Sequence, residues 1–184
     1  MDLNHPKLKV IIRSDFLNYS GLEHEFQKCD SCIWCLGVPQ SRVSAEEYHT
    51  ITCSYTIETA KFLRAVNPNI SFVFMSGGGA DSKETSRLLF AREKGKTENE
   101  LKRIFTRNLV IVRQGGINPV IKPKNVPFYY KLFYPFFPLL KFTLPNSVIS
   151  SVELSRVLLF LVKNGSSKIM MENTDLNKLF NNLS

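Results

Sequence analysis

With 184 residues, 43% of them hydrophobic and 22% charged, the chain is long enough for one domain with its own core and too apolar to stay disordered. The formal net charge of +8 favours anionic partners, but the Lys and Arg residues are spread along the chain and no nucleic-acid module accompanies them, which argues against nucleic-acid binding. The start, Met-Asp-Leu-Asn-His, lacks a signal-peptide pattern and no uncharged apolar run reaches spanning length, so a cytoplasmic location is the default expectation.

In chain order, Leu8 to Ile12 (LKVII) is the first short apolar run and reads as a strand. Cys29, Cys32 and Cys35 follow with a C-x-x-C-x-x-C spacing that in other settings holds zinc or part of an iron–sulfur cluster. Cys35, however, lies in the apolar run Ser31 to Leu36, a second strand whose alternation points Cys32 and Cys35 apart, and Cys53 is distant. The cysteines therefore read as small hydrophobes, no metal is expected, and His5, His24 and His49 have no mutual ligand spacing.

Ser44-Ala-Glu-Glu47 is a capping box, flanked by Val43 and Tyr48 as a hydrophobic staple, and predicts a helix to about Val66, before Asn67-Pro68. Ile70 to Met75 is a third strand, ending in Ser76 and a turn of three glycines. A helix over Ser86 to Phe105 comes next, with Phe90 and Lys94 one turn apart on one face, and Leu109 to Val112 is a fourth strand. Val126 to Pro145 is rich in Phe, Tyr and Pro, too broken by proline for one straight helix, and predicts a small cap. Ser150-Ser-Val-Glu153 opens a further helix closed by Asn164-Gly165, and Lys168 to Met171 is a last strand. Strands alternating with helices predict an α/β fold: a Rossmann-like parallel sheet over residues 1–115, and a cap or substrate region over 116–184 completing the same domain.

The landmarks at the strand ends resemble those of an atypical short-chain dehydrogenase/reductase of the NAD(P)-dependent epimerase/dehydratase group, in its Tat-interacting tumour-suppressor oxidoreductase-like branch. They are Asp15-Phe16, Cys35-Leu-Gly37, Ser76, Gly79-Ala-Asp81, Phe90-x-x-x-Lys94, Lys94-Gly95 and Arg113-Gln-Gly115. The resemblance implies NAD or NADP as cofactor, a small-molecule substrate, Ser76 and Lys94 as catalytic residues, and Asp15, Phe16, Gly37, Lys94 and Arg113 as cofactor contacts. It also implies a tyrosine where this chain has Phe90. An ammonium beside a phenol lowers the phenol's pKa and makes it a general acid, whereas a phenylalanine has no proton to give.

The family's opening glycine-rich unit, which holds the pyrophosphate at a helix N-terminus, has no counterpart here, and Leu8 to Ile12 corresponds to the family's third strand. Loss of the first two strands predicts exposed strand edges, left bare by a truncated reading frame or covered by repacking or by another chain. Two readings of function stay open. One is an NAD(P)-binding oxidoreductase or epimerase relative, either active or a catalytically weakened descendant down to a pseudoenzyme, given Phe90 at the tyrosine position and no glycine-rich loop. The other is a non-catalytic binding protein that uses residues 126–145 on a protein partner or a membrane surface, as a monomer or an oligomer.

Overall fold

The computed structural model describes residues 5–120 and 147–183. Four strands form one sheet in the order β1 (Ser31–Trp34), β2 (Ser71–Met75), β3 (Leu109–Arg113) and β6 (Met170–Glu172), every neighbouring pair parallel. A second, two-stranded parallel sheet joins β4 (Gly116–Asn118) to β5 (Val148–Ser150). The helices are α1 (Glu23–Phe26), α2 (Ala45–His49), α3 (Tyr55–Val66), α4 (Leu89–Ile104), α5 (Ser151–Asn164) and α6 (Asn173–Asn182). This is a Rossmann-like α/β architecture, as the alternation of runs predicts, and no described helix is long and apolar enough to cross a membrane.

Strand alternation divides the core into two layers. Phe72 and Phe74 of β2, with Trp34 and Ile111, face Ile57, Ala60 and Leu63 of α3 and Leu101 of α4. Val73 between them faces the other way, with Val110 and Val112, onto Leu154, Val157, Leu158 and Leu161 of α5 and Leu176 of α6. Phe72, Val73 and Phe74 are all fully buried, which is why β2 reads as a continuous apolar run and not as an alternating one.

The helix expected from Ser44 forms, with the Ser44 side chain accepting from the Glu47 N–H. It is interrupted by a single π turn over Thr50–Ser54 before continuing as α3. The wider turn leaves the Thr52 carbonyl to accept from the Thr56 hydroxyl at 2.8 Å, and that hydroxyl in turn accepts the Trp34 indole N–H at 2.8 Å. The one tryptophan is thereby buried without an orphaned donor. The capping box at Ser150 is also formed, with Glu153 at the N3 position, and Gly165 ends α5 at φ 70°.

The strand expected at Leu8 to Ile12 is not formed. Leu8, Val10, Ile11 and Ile12 are 47, 69, 40 and 91% exposed, and the segment joins neither sheet. A strand exists only by pairing, and nothing in the local sequence supplies the neighbour. β1 is consequently the outermost strand, with no described residue paired to its outer edge. The aromatic segment 126–145 lies outside the described residues.

One contact fixes where α4 lies. Gly95 passes so close to the loop after β2 that an added Cβ would lie 1.7 Å from the Asp81 carbonyl oxygen. The same loop is tied to α4 by the Asp81 N–H donating to the Ala91 carbonyl at 2.8 Å. Gly95→Ala is expected to destabilise the fold by about 3 kcal/mol, because the clash is backbone against backbone and no side chain can swing away. A urea-unfolding midpoint within error of the parent's would contradict this close approach.

Candidate functional site

The carboxyl ends of β2 and β3 are the natural place for a site in a parallel sheet, since the loops that leave them converge there. Phe90, Lys94 and Glu98 recur every four residues along α4 and form one stripe over the end of β2. Each reaches a successive part of that strand end. Glu98 accepts the Ser76 hydroxyl proton at 2.5 Å, Lys94 Nζ donates to the Met75 carbonyl at 3.1 Å, and the Phe90 ring lies against Gly77. An added Cβ on Gly77 would meet the para carbon of Phe90 at 2.6 Å, so the glycine makes room for the ring.

Glu98 is fully buried, and a carboxylate there is held only by strong partners. Arg113 supplies them in a two-pronged grip, Nε to Oε1 at 2.9 Å and Nη2 to Oε2 at 2.5 Å. The same guanidinium donates to Ser82 Oγ at 2.8 Å and reaches Glu172 Oε1 at 3.3 Å. Its hydrogen bonds to Glu98 raise its pKa above the ordinary arginine value. One ionic cluster thus joins the ends of β2, β3 and β6 to α4.

Lys94 has a different environment. Its ammonium lies 4.9 Å from the centre of the Phe74 ring, and the residue is 8% exposed. Burial lowers its pKa to about 8, against the opposing pull of Glu98. Phe90 has no proton to give, and the Ser76 proton is committed to a carboxylate.

The remaining predicted residues make other contacts. Asp15 is exposed, its Oδ1 accepting the Leu17 N–H at 2.8 Å in a turn. The Phe16 ring packs into the first core layer, 6.2 Å from Trp34 and 5.5 Å from Tyr55. Gly37 is exposed, with open space where a side chain would project. Among the described residues no group of three or more His, Cys, Asp or Glu is placed to hold a metal, and all four cysteines are free. Burial pushes the Cys32 thiol up to about 12.

Sequence reading missed Glu98, Ser82, Gln114 and Asn173. Glu98 was signalled only by its place one turn beyond Lys94. Gln114 Nε2 donates to the Ser76 carbonyl at 3.1 Å, and the Gln114 carbonyl accepts from the Gly78 N–H at 2.7 Å. Asn173 Oδ1 accepts the Gly115 N–H at 2.9 Å. These polar contacts cross 38 and 58 residues of sequence, so no local pattern announces them. A cavity of about 800 Å³ opens elsewhere, at the amino ends of β2 and β3, lined by Ser71, Asn108, Lys163, Lys168 and Lys178. It lies at the opposite end of the sheet from Ser76.

No protein-family model matches the chain. Over 115 residues it is 28% identical to the leucinostatins biosynthesis cluster protein T of Purpureocillium lilacinum, an alignment that takes in 60% of this chain and 42% of that protein. The chain thus spans about two fifths of the length of the curated relative it matches.

Two outcomes follow from the stripe. Glu98→Ala is expected to cost about 3–5 kcal/mol, because it leaves Arg113 half-buried without its main partner, and an Arg113→Met/Glu98→Ala double variant should recover part of that loss in chemical denaturation. Lys94 gives a pH signature. Below about pH 8 it is charged in both states and its burial penalty is present in full. Between about 8 and the unfolded value of 10.5 the unfolded chain binds the proton and the folded chain does not, so this group's contribution to stability rises with pH. Lys94→Met should remove that rise, which amounts to at most about 3 kcal/mol. Parallel pH–stability curves for parent and variant would refute the shift.

Proposed function

We propose that this chain is a dinucleotide-binding Rossmann-type protein of oxidoreductase or epimerase ancestry whose hydride-transfer chemistry is impaired. The observation that carries the reading is the position of Phe90. Its para carbon, the atom that bears the hydroxyl in a tyrosine, is the one aimed at Gly77 beside Ser76, one helical turn from a buried lysine of lowered pKa. A proton donor would stand there, and a hydrocarbon does. The Ser76 proton is held by Glu98, which leaves the hydroxyl ill-placed to polarise a carbonyl.

The described residues suit only part of a dinucleotide. Lys94 stands beside the strand end where a nicotinamide ribose would sit, and Gly37 leaves open backbone for a ligand to approach. Phe16 packs against the core, Asp15 Oδ1 closes a turn and Arg113 grips Glu98, so each already has a structural partner beside the cofactor contact that the resemblance implies. No glycine loop leading directly into a helix N-terminus is present among the described residues to cradle a pyrophosphate. When bound, NADH or NADPH would supply the hydride, and this chain would contribute Lys94 as a ribose contact. The cofactor, the small carbonyl substrate and the assignment of Lys94 are parts of this proposal, and Ser76 would serve in it only by releasing Glu98.

The test uses Phe90→Tyr at millimolar NADH or NADPH with small aldehydes and ketones. Restoring the hydroxyl is expected to raise turnover by about 100-fold or more, the usual contribution of a positioned acid. Equal turnover in parent and variant would mean that the proton comes from elsewhere. Sub-micromolar cofactor binding by the parent would overturn the account of the incomplete site.

A further inference from the structure

Among the described residues two surfaces are left without a partner, and each has the shape the other lacks. The first is the outer edge of β1. The Ser71 N–H donates to the Asp30 carbonyl at 3.0 Å, so Asp30 turns its backbone toward β2, and by the two-residue alternation of a strand Cys32 and Trp34 do the same. Ser31 and Ile33 therefore present their N–H and C=O groups outward, where no described strand pairs with them. Natural edges are protected by Lys, Pro, bulges or inward charges, and Ser31-Cys-Ile-Trp34 contains none of these residues.

The second is the segment Leu8 to Ile12. It adopts no helix or turn, and its alternate residues Leu8, Val10 and Ile12 are 47, 69 and 91% exposed, an apolar stripe on one side of an extended chain. The other side carries Lys9 and Ile11, also exposed, and is tied to the protomer by surface contacts. Lys9 pairs with Glu25 of α1 at 2.5 Å, and Arg13 bonds the Asp15 and Asn18 carbonyls and lies over the Tyr19 ring. Those contacts hold the segment near α1 while Leu8, Val10 and Ile12 stay open to a partner. A contiguous exposed apolar stripe on a soluble domain marks an interface.

We propose that Leu8 to Ile12 of one copy adds as a fifth strand to the outer edge of β1 in a second copy, and that the exchange is reciprocal. A two-fold axis then satisfies both edges and both stripes with a single contact type, so the assembly closes as a dimer. The added strand extends the sheet on whose face α5 packs, across β1 and β2. Backbone pairing supplies the attraction and the alternating side chains supply the register. This inference does not depend on the reading of the strand-end site.

Sedimentation velocity over a range of protein concentrations reads the mass, and two variants assign the surface. Val10→Asp/Ile12→Asp changes only exposed positions, so the fold stays, and it is expected to raise the dimer dissociation constant by about 100-fold or more. Ser31→Pro removes an outward N–H from the other half of the contact and is expected to do the same, with circular dichroism confirming that the sheet persists. An equimolar mixture of the two variants should re-form a dimer through one intact contact, because one supplies the edge and the other the stripe. A chain that sediments as a monomer throughout overturns the proposal. So does a dimer that Val10→Asp/Ile12→Asp leaves unchanged, and that readout decides the matter even where Ser31→Pro fails to fold.

Discussion

The buried carboxylate of Glu98 is the constraint from which the organisation of the strand ends follows. A charge with no exposure must be matched, and Arg113 matches it with two parallel hydrogen bonds while Ser76 adds a third. Because these three residues come from α4, β3 and the end of β2, satisfying one charge fixes the position of a helix relative to two strands. Glu172 at the end of β6 extends the cluster to the fourth strand. Such clusters are weak sources of stability but strong specifiers of geometry, since any shift of α4 leaves an ion unpaired in the core.

That geometry governs what the rest of the stripe can do. Lys94, one turn before Glu98, is carried into the interior and loses part of its affinity for a proton, while the nearby carboxylate limits the loss. Phe90, one turn earlier again, is placed at the outer end of the stripe against a glycine. Three chemically different side chains thus share one face of one helix: a carboxylate tied up in hydrogen bonds, a lysine of lowered pKa and a hydrocarbon ring. The hydroxyl of Ser76 belongs to the structural end of this arrangement.

The sheet shows the converse situation at β1. Both faces of β1 and β2 are covered, by α3 on one side and α5 on the other, and hydrophobic burial is satisfied there. At the outer edge no described residue pairs with the backbone, because helices cover faces and only strands cover edges. The apolar residues of the N-terminal segment remain exposed for a related reason: a strand-forming sequence has no structure of its own until a neighbour pairs with it.

Much of the architecture was legible in the sequence alone. Continuous apolar runs marked β1, β2 and β3 because both faces of each are covered, and the Ser44 and Ser150 capping boxes marked two helix starts because the bonds involved span three residues. The tertiary structure decided what depends on distant partners. It denied Leu8 to Ile12 a place in the sheet, and it inserted a π turn where Thr52 serves Thr56. It also formed the short β4–β5 pair and the final helix α6, whose signals are too brief for a pattern. At the strand ends the sequence supplied Ser76, Phe90, Lys94 and Arg113, spaced by chain geometry. That Ser76 and Arg113 meet on Glu98 was settled only by folding, since a buried charge chooses its partners by proximity in space, and proximity in space is not written at any fixed spacing along the chain.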